Sequence, residues 1–109
     1  MDVECYDFVS DCRVRAATDL LTHTWDPVVL TALRAGPARR AALIPAIGGL
    51  SDKALSQSLA RLTAAGLVER TAASTPRNVG YVLTPLGRSF VDGPLAALGR
   101  WAVENHRAG

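Results

Sequence analysis

The stretch LSDKALSQSLARLTAAGLVER, Leu50 to Arg70, decides the fold. Ser51 suits a helix N-cap, because its hydroxyl can take one of the free N–H groups of a first turn. Leu55, Leu59 and Leu62 fall at i, i+4 and i+7 and predict an inward apolar stripe, flanked by Ala54 and Ala65, on a helix that runs to about Ala65. With that stripe turned inward, Asp52, Lys53, Ser56, Gln57, Ala60 and Arg61 face outward. After Gly66 the pattern changes. LVERTAA alternates apolar and polar residues, which is the period of a strand. The polar face is either solvated surface of a helical bundle or a surface built to touch a partner.

Working upstream, ARRAALIPAIGG (38–49) predicts a short helix from about Arg39 to Ile47, with Leu43, Ile44 and Ile47 on its apolar side and an awkward Pro45 inside it. Gly48 and Gly49 make the turn into the Leu50–Arg70 stretch. TWDPVVLTALRAG (24–36) predicts a helix that is apolar on nearly all sides, with Pro27 in its first turn and Gly36–Pro37 ending it; this is the expected central core helix. DCRVRAATDLLTH (11–23) carries Val14, Ala17, Leu20 and Leu21 at helical spacing and predicts a first helix that Asp11 could cap. Residues 1–10 read as a loose arm, and 11–109 as a single domain.

Downstream, STPRNVG is turn-rich and YVLT reads as a second strand, so the two strands form a β-hairpin. Thr84 caps a closing helix with Pro85 at its first position, and Gly93–Pro94 bend or break it. The expected fold is mostly α with a small β-hairpin. A glycine turn joins the third and fourth helices, and a hairpin follows them. That order is a winged helix-turn-helix.

A chain of 109 residues with 49% hydrophobic and 20% charged residues can bury a core. Its net charge of +2 is unevenly spread. Residues 34–77 hold Arg34, Arg39, Arg40, Lys53, Arg61, Arg70 and Arg77 against Asp52 and Glu69, a net +5, whereas residues 1–33 carry a net −4. The basic middle attracts polyanions, of which nucleic acid is the commonest. Two cysteines are too few for a disulfide scaffold. No apolar run is long enough to span a membrane, the acidic start is unlike a signal peptide, and the expected compartment is the cytoplasm.

In a helix-turn-helix the second helix presents its outer face to the major groove of double-stranded DNA. Gln57 can pair with adenine and Arg61 with guanine, while Lys53 and Ser56 lie on the same face. Ser51, with the free N–H groups beside it, suits a phosphate, and Arg39 and Arg40 suit backbone contacts. Arg77 and Asn78 at the hairpin tip suit a phosphate or the minor groove, as do Arg70 and Arg61.

These residues together resemble the HxlR-type winged-helix transcriptional regulators, which are MarR-like. The family has a cysteine in helix one and, thirteen residues later, a tryptophan opening helix two; here these are Cys12 and Trp25. Its GP-R-F-EL segment is matched by Gly36, Pro37, Arg39 and Leu43. Its I-GIS-K-L-Q-L--L---GL--R segment is matched by Ile47, Gly49, Ser51, Lys53, Leu55, Leu59, Leu62, Gly66, Leu67 and Arg70. The P--V-Y-LT--G end is matched by Pro76, Val79, Tyr81, Leu83, Thr84 and Gly87, and Trp101 fits a closing-helix tryptophan. The match spans roughly residues 12–102. Departures are Arg13 for a common Pro, Thr24 for a common Lys, Arg40 for Phe and Gly80 for Glu. Arg40 would alter the apolar seam under helix three or add a phosphate contact.

The resemblance implies a homodimer joined through the N-terminal and closing helices, reading a roughly palindromic operator. Leu95, Leu98, Trp101 and Ala102 lie at i, i+3, i+6 and i+7, a stripe suited to a partner helix or to packing against helix one. Some relatives sense electrophiles or oxidants through the helix-one cysteine. Cys12, beside Arg13 and near Arg15, is placed for a lowered thiol pKa, with Cys5 as a resolving partner; it equally suits a small apolar interface residue. A small-molecule effector would sit between helix one, the closing helix and the mate, where Tyr6, Phe8, Trp25, Phe90 and Trp101 are the aromatic candidates. His23 and His106 are isolated, with no metal spacing. No metal and no cofactor is expected, and no nucleophile–base pair suggests an enzyme. The competing reading is a winged-helix protein-interaction module without sequence-specific DNA binding.

Overall fold

The computed structural model describes residues 13–71 and 79–105. The arm at 1–10, Cys5, Tyr6, Phe8, Cys12, the hairpin tip with Arg77 and Asn78, and His106 lie outside the described residues. Among the described residues, six α-helices and three strands follow in the order α1 (Arg13–Thr18), α2 (Trp25–Ala32), β1 (Ala38–Arg39), α3 (Arg40–Ile47), α4 (Asp52–Ala64), β2 (Val68–Arg70), β3 (Gly80–Leu83), α5 (Pro85–Phe90) and α6 (Ala96–Asn105). Short 3-10 turns extend α1 over Asp19–Leu21 and α2 over Leu33–Ala35, so each of these helices ends in a tighter turn than the sequence reading assigns.

The core forms where α2 crosses α4. Val29, Leu30 and Leu33 of α2 are fully buried and meet Leu55, Leu59 and Leu62 of α4, the predicted stripe. Leu43 of α3, Leu67, Val68 and Leu83 of the sheet, and Phe90 and Val91 of the closing segment complete the core. Phe90 is therefore core and not a pocket lining. Val28 lies on the outer side of α2 and is 40% exposed, so that helix is less completely enclosed than its composition predicts.

Local chemistry fixes the elements around the core. Ser51 Oγ accepts from the Ala54 N–H (3.0 Å), the cap that starts α4. At its other end the Leu67 N–H donates to the Leu62 carbonyl and the Gly66 N–H to the Thr63 carbonyl. That pairing closes a Schellman motif and hands the chain to β2. Gly48 and Gly49 both take positive φ (76° and 75°), which lets α3 turn sharply into α4. Pro45 does not break α3; the helix passes through it and ends two residues later. Thr84 Oγ1 accepts from the Gly87 N–H (3.0 Å) and donates to the Gly66 carbonyl (2.6 Å), so one cap residue starts α5 and ties it to the end of α4.

The expected hairpin is one part of a three-stranded antiparallel sheet ordered β1-β3-β2. Strand β1 pairs Ala38 with Tyr81 and Arg39 with Gly80. Gly80 is buried there, and a Cβ on it would stand 3.2 Å from Thr71 Oγ1 and 3.3 Å from the Ala38 carbonyl oxygen. The close approach of β1 and Thr71 accounts for glycine where the resemblance leads one to expect glutamate. Between α5 and α6, Val91–Leu95 winds as a π-helix through Gly93 and Pro94, so the closing segment changes its winding there and does not break. Arg34 reaches Asp92 there (3.2 Å), and Arg88 Nη1 donates to the Arg34 carbonyl (3.0 Å), pinning the π-helical turn to the end of α2. No helix among the described residues is long and apolar enough to cross a membrane.

Gly87 and Gly99 give opposite expectations. A Cβ on Gly87 would stand 2.0 Å from the Leu67 carbonyl oxygen, a backbone atom that cannot step aside. Gly87→Ala is expected to destabilise by about 3 kcal/mol or more. A Cβ on Gly99, inside α6, meets nothing within 4 Å, so Gly99→Ala is expected to stabilise by roughly 0.5–1 kcal/mol. Urea denaturation of both variants checks the pair.

Candidate nucleic-acid interface

Burial of the leucine stripe leaves Asp52, Lys53, Ser56, Gln57 and Ala60 exposed along the opposite face of α4. Arg61, expected among them, is not. Its Nε donates to Asp26 Oδ2 (3.0 Å) and its Nη2 to Asp26 Oδ1 (2.8 Å), a two-pronged ion pair with a carboxylate on α2. The Arg61 side chain is 34% exposed and that of Asp26 only 7%. The same Oδ1 accepts from Ser58 Oγ (2.6 Å), and Ser58 is fully buried. A buried carboxylate must be paired, and once paired it holds its partner. The guanidinium of Arg61 thus turns back onto the fold and has a partner within the chain.

Burial alone would push the Asp26 carboxyl up. The hydrogen bonds from Arg61 and Ser58, with the nearby charges of Arg61 and His23, outweigh it and hold the carboxyl below the usual carboxylate range. The Arg61 guanidinium is held above its ordinary value by the same contact. Ser58 was not singled out in the sequence. The available signal was two polar residues on otherwise apolar inner faces, Asp26 on α2 and Ser58 on α4, which burial obliges to meet.

Arg40 is paired in the same way. Its Nη1 donates to Asp52 Oδ1 (2.6 Å), and its Nη2 donates to the Asp52 carbonyl (2.8 Å) and to Ser56 Oγ. It is half-buried and laces the start of α3 to the first turns of α4. Ser56 is held by the same guanidinium. Ser51, expected at a phosphate, has its hydroxyl engaged in the cap.

The sheet lies beside α4. A groove of about 430 Å³ runs between them, lined by Ser56, Ala60 and Thr63 of α4, by Arg40, and by Arg70 and Tyr81 of the sheet. It continues past Arg39, Arg40 and Asp52 along α3. The exposed polar face, the groove and the exposed Arg39 and Arg70 thus share one side of the molecule.

The residues expected at an effector pocket or dimer interface separate. Trp25 is partly buried against the core, and its Cη2 would lie 3.9 Å from a Cβ on Gly49, so it braces the turn into α4. Leu95 packs on the core. Leu98 is exposed and Trp101 is 63% exposed, with Val103 more so, and no residue of α6 is buried within the chain. Leu95, Leu98 and Gly99 edge an apolar groove of about 490 Å³ that Val28, Thr31 and Ile47 complete.

The Asp26 carboxylate sets a pH dependence. Its folded pKa is lowered, so its stabilising contribution is complete above the ordinary carboxylate range near pH 4 and is lost as pH falls through the lower folded value. Asp26→Asn is expected to cost about 2 kcal/mol at pH 7, less than a fully buried pair because Arg61 keeps contact with water. The gap between variant and wild type should narrow at about pH 3. Urea midpoints at the two pH values measure it.

A family model for the HxlR-like helix-turn-helix matches residues 20–108. The HTH-type transcriptional regulator YtfH of Escherichia coli K12 is 40% identical over 99 residues, covering 90% of this chain and 78% of that one. The solved transcriptional regulator ytfH from Salmonella typhimurium superposes with a TM-score of 0.72 at 37% identity, over 94% of this chain and 91% of that chain. The reduced form of the transcriptional regulator YodB from Bacillus subtilis gives a TM-score of 0.75 at 26% identity over 89% and 95% of the two chains, and its quinone-bound form gives 0.72 at 25% over 84% and 97%. With a helix-turn-helix, a flanking sheet and these relatives, the chain belongs to the HxlR-like family of DNA-binding, helix-turn-helix transcriptional regulators.

Proposed function

We propose that the protein is a homodimeric regulator that reads a two-fold operator in double-stranded DNA with α4 and yields to a thiol oxidant or an electrophilic small molecule. The observation that carries the first part is the outward row of Lys53 and Gln57 on a helix whose other face is locked into the core. Gln57 is the candidate for an adenine edge. Lys53 supplies charge at the same surface, and Arg39 and Arg70, at the groove edge, face the phosphates that flank it. Arg77 and Asn78 would extend this contact from the tip of the wing.

The exposed Leu98 and Trp101, one turn apart on α6, support the dimer. A chain this small rarely leaves such a pair to water, and two-fold pairing through α6 and the N-terminal helix would cover it. The dimer would set two copies of α4 on successive major grooves. Residues 1–10 are then an arm, and 11–109 one DNA-binding unit with dimerising ends. YodB has been solved reduced and quinone-bound, and that likeness supports Cys12, with Cys5, as the place where an electrophile acts. A regulator of this kind works where the chromosome is, in the bacterial cytoplasm.

Mobility shifts on DNA upstream of the gene, against random DNA, test the central claim; equal affinity for both would end it. Gln57→Ala is expected to relax discrimination at one base pair by about 1–3 kcal/mol. Arg70→Ala should weaken all sequences alike and reduce the salt slope by about one. Trp101→Asp should give a monomer by sedimentation and raise the DNA concentration needed for a shift. Footprints with and without a thiol oxidant test the switch: protection should be lost on oxidation in the wild type and kept in Cys12→Ser.

A further inference from the structure

The Arg40–Asp52 pair is inverted for a surface that meets phosphate. The arginine is its inner member, 33% exposed, and the carboxylate its outer one, 73% exposed. Arg40 spends hydrogen bonds on Asp52 Oδ1, on the Asp52 carbonyl and on Ser56 Oγ. Capping does not require the carboxylate, because Ser51 already performs it. The first residue of α4 therefore presents an acceptor outward, held in one orientation from below.

We propose that Asp52 is a base-reading residue that accepts a hydrogen bond from the exocyclic amino group of cytosine in the major groove, with Arg40 as the residue that positions it. The inference rests on the DNA-reading role of α4 proposed above. The N-terminal turn of a recognition helix is the part that reaches base edges. An ionised carboxylate only accepts. Guanine shows it two acceptors and thymine one, so both repel it. Adenine offers N6–H₂ beside the acceptor N7. Cytosine offers N4–H₂ with no acceptor on its own major-groove edge, which makes it the base best matched to a carboxylate. The guanidinium behind Asp52 offsets its charge, which lowers the repulsion from DNA phosphates. Ser56 and Ala60 follow Asp52 at four and eight residues on the exposed face, and both are too small to keep α4 from the groove floor.

Binding-site selection from a random duplex library, run on the full chain and on Asp52→Ala and Asp52→Asn, decides it. Thermal melts of each protein show that it is folded, and the near-isosteric Asn variant guards against misfolding of the Ala variant. The wild type is expected to enrich a motif with cytosine at one fixed position per half-site. Asp52→Ala should lower the preference there about tenfold, and Asp52→Asn should turn it toward adenine, whose N6 and N7 an amide can pair together. A wild-type motif that both variants keep unchanged overturns the inference and leaves the regulator reading intact. A wild type that enriches no motif overturns both.

Discussion

The carboxylate of Asp26 is the constraint on which the exposed polar face of α4 depends. It sits on α2 where water hardly reaches, and burying it as a bare charge would cost several kcal/mol. Both residues that satisfy it, Ser58 and Arg61, come from α4 and stand three apart, on one helical face. Leu55, Leu59 and Leu62 hold α4 against α2 without strict direction, since apolar contact tolerates sliding and rotation. Hydrogen bonds do not tolerate it. A rotation of α4 that kept the leucines buried would still break the contacts to Asp26. The direction in which Lys53 and Gln57 point is thus set from the opposite side of their own helix.

The same economy governs the charges. The middle of the chain has a formal excess of cations, but Arg61 is committed to Asp26, Arg40 to Asp52 and Arg34 to Asp92. The face of α4 is consequently less basic than its composition. It combines one cation, an amide, a small hydroxyl and a carboxylate, a set better matched to the donors and acceptors of base edges than to phosphates alone. Two internal ion pairs, one beneath α4 and one at its start, turn a generally cationic segment into a patterned surface.

The π-helical turn at Val91–Leu95 divides the closing segment into two parts. Before it, Thr84, Gly87 and Phe90 tie α5 to the core and to the end of α4. After it, no residue of α6 is buried within the chain. The ion pairs of Asp92 with Arg34 and Arg88 join this turn to the end of α2, the helix that carries Asp26 and holds α4.

Helix periods, the Ser51 and Thr84 caps, the glycine turn and the leucine stripe were legible in the sequence because each depends on residues within a few positions of one another. Strand β1 was not, since two residues cannot show alternation and Ala38–Arg39 become a strand only by pairing with β3. The direction of Arg61 was not legible either. Helical spacing placed it on the outward face, but a side chain as long as arginine can fold back toward a neighbouring helix. The partner that decided it lies thirty-five residues upstream on another helix. Arg40 was decided likewise by Asp52 and Ser56, which the turn between α3 and α4 brings alongside. Local sequence determined which elements form and which faces are apolar; only the tertiary structure decided which charges are paired inside the fold, because pairing energy depends on distance in space and on burial, and neither is a property of one segment.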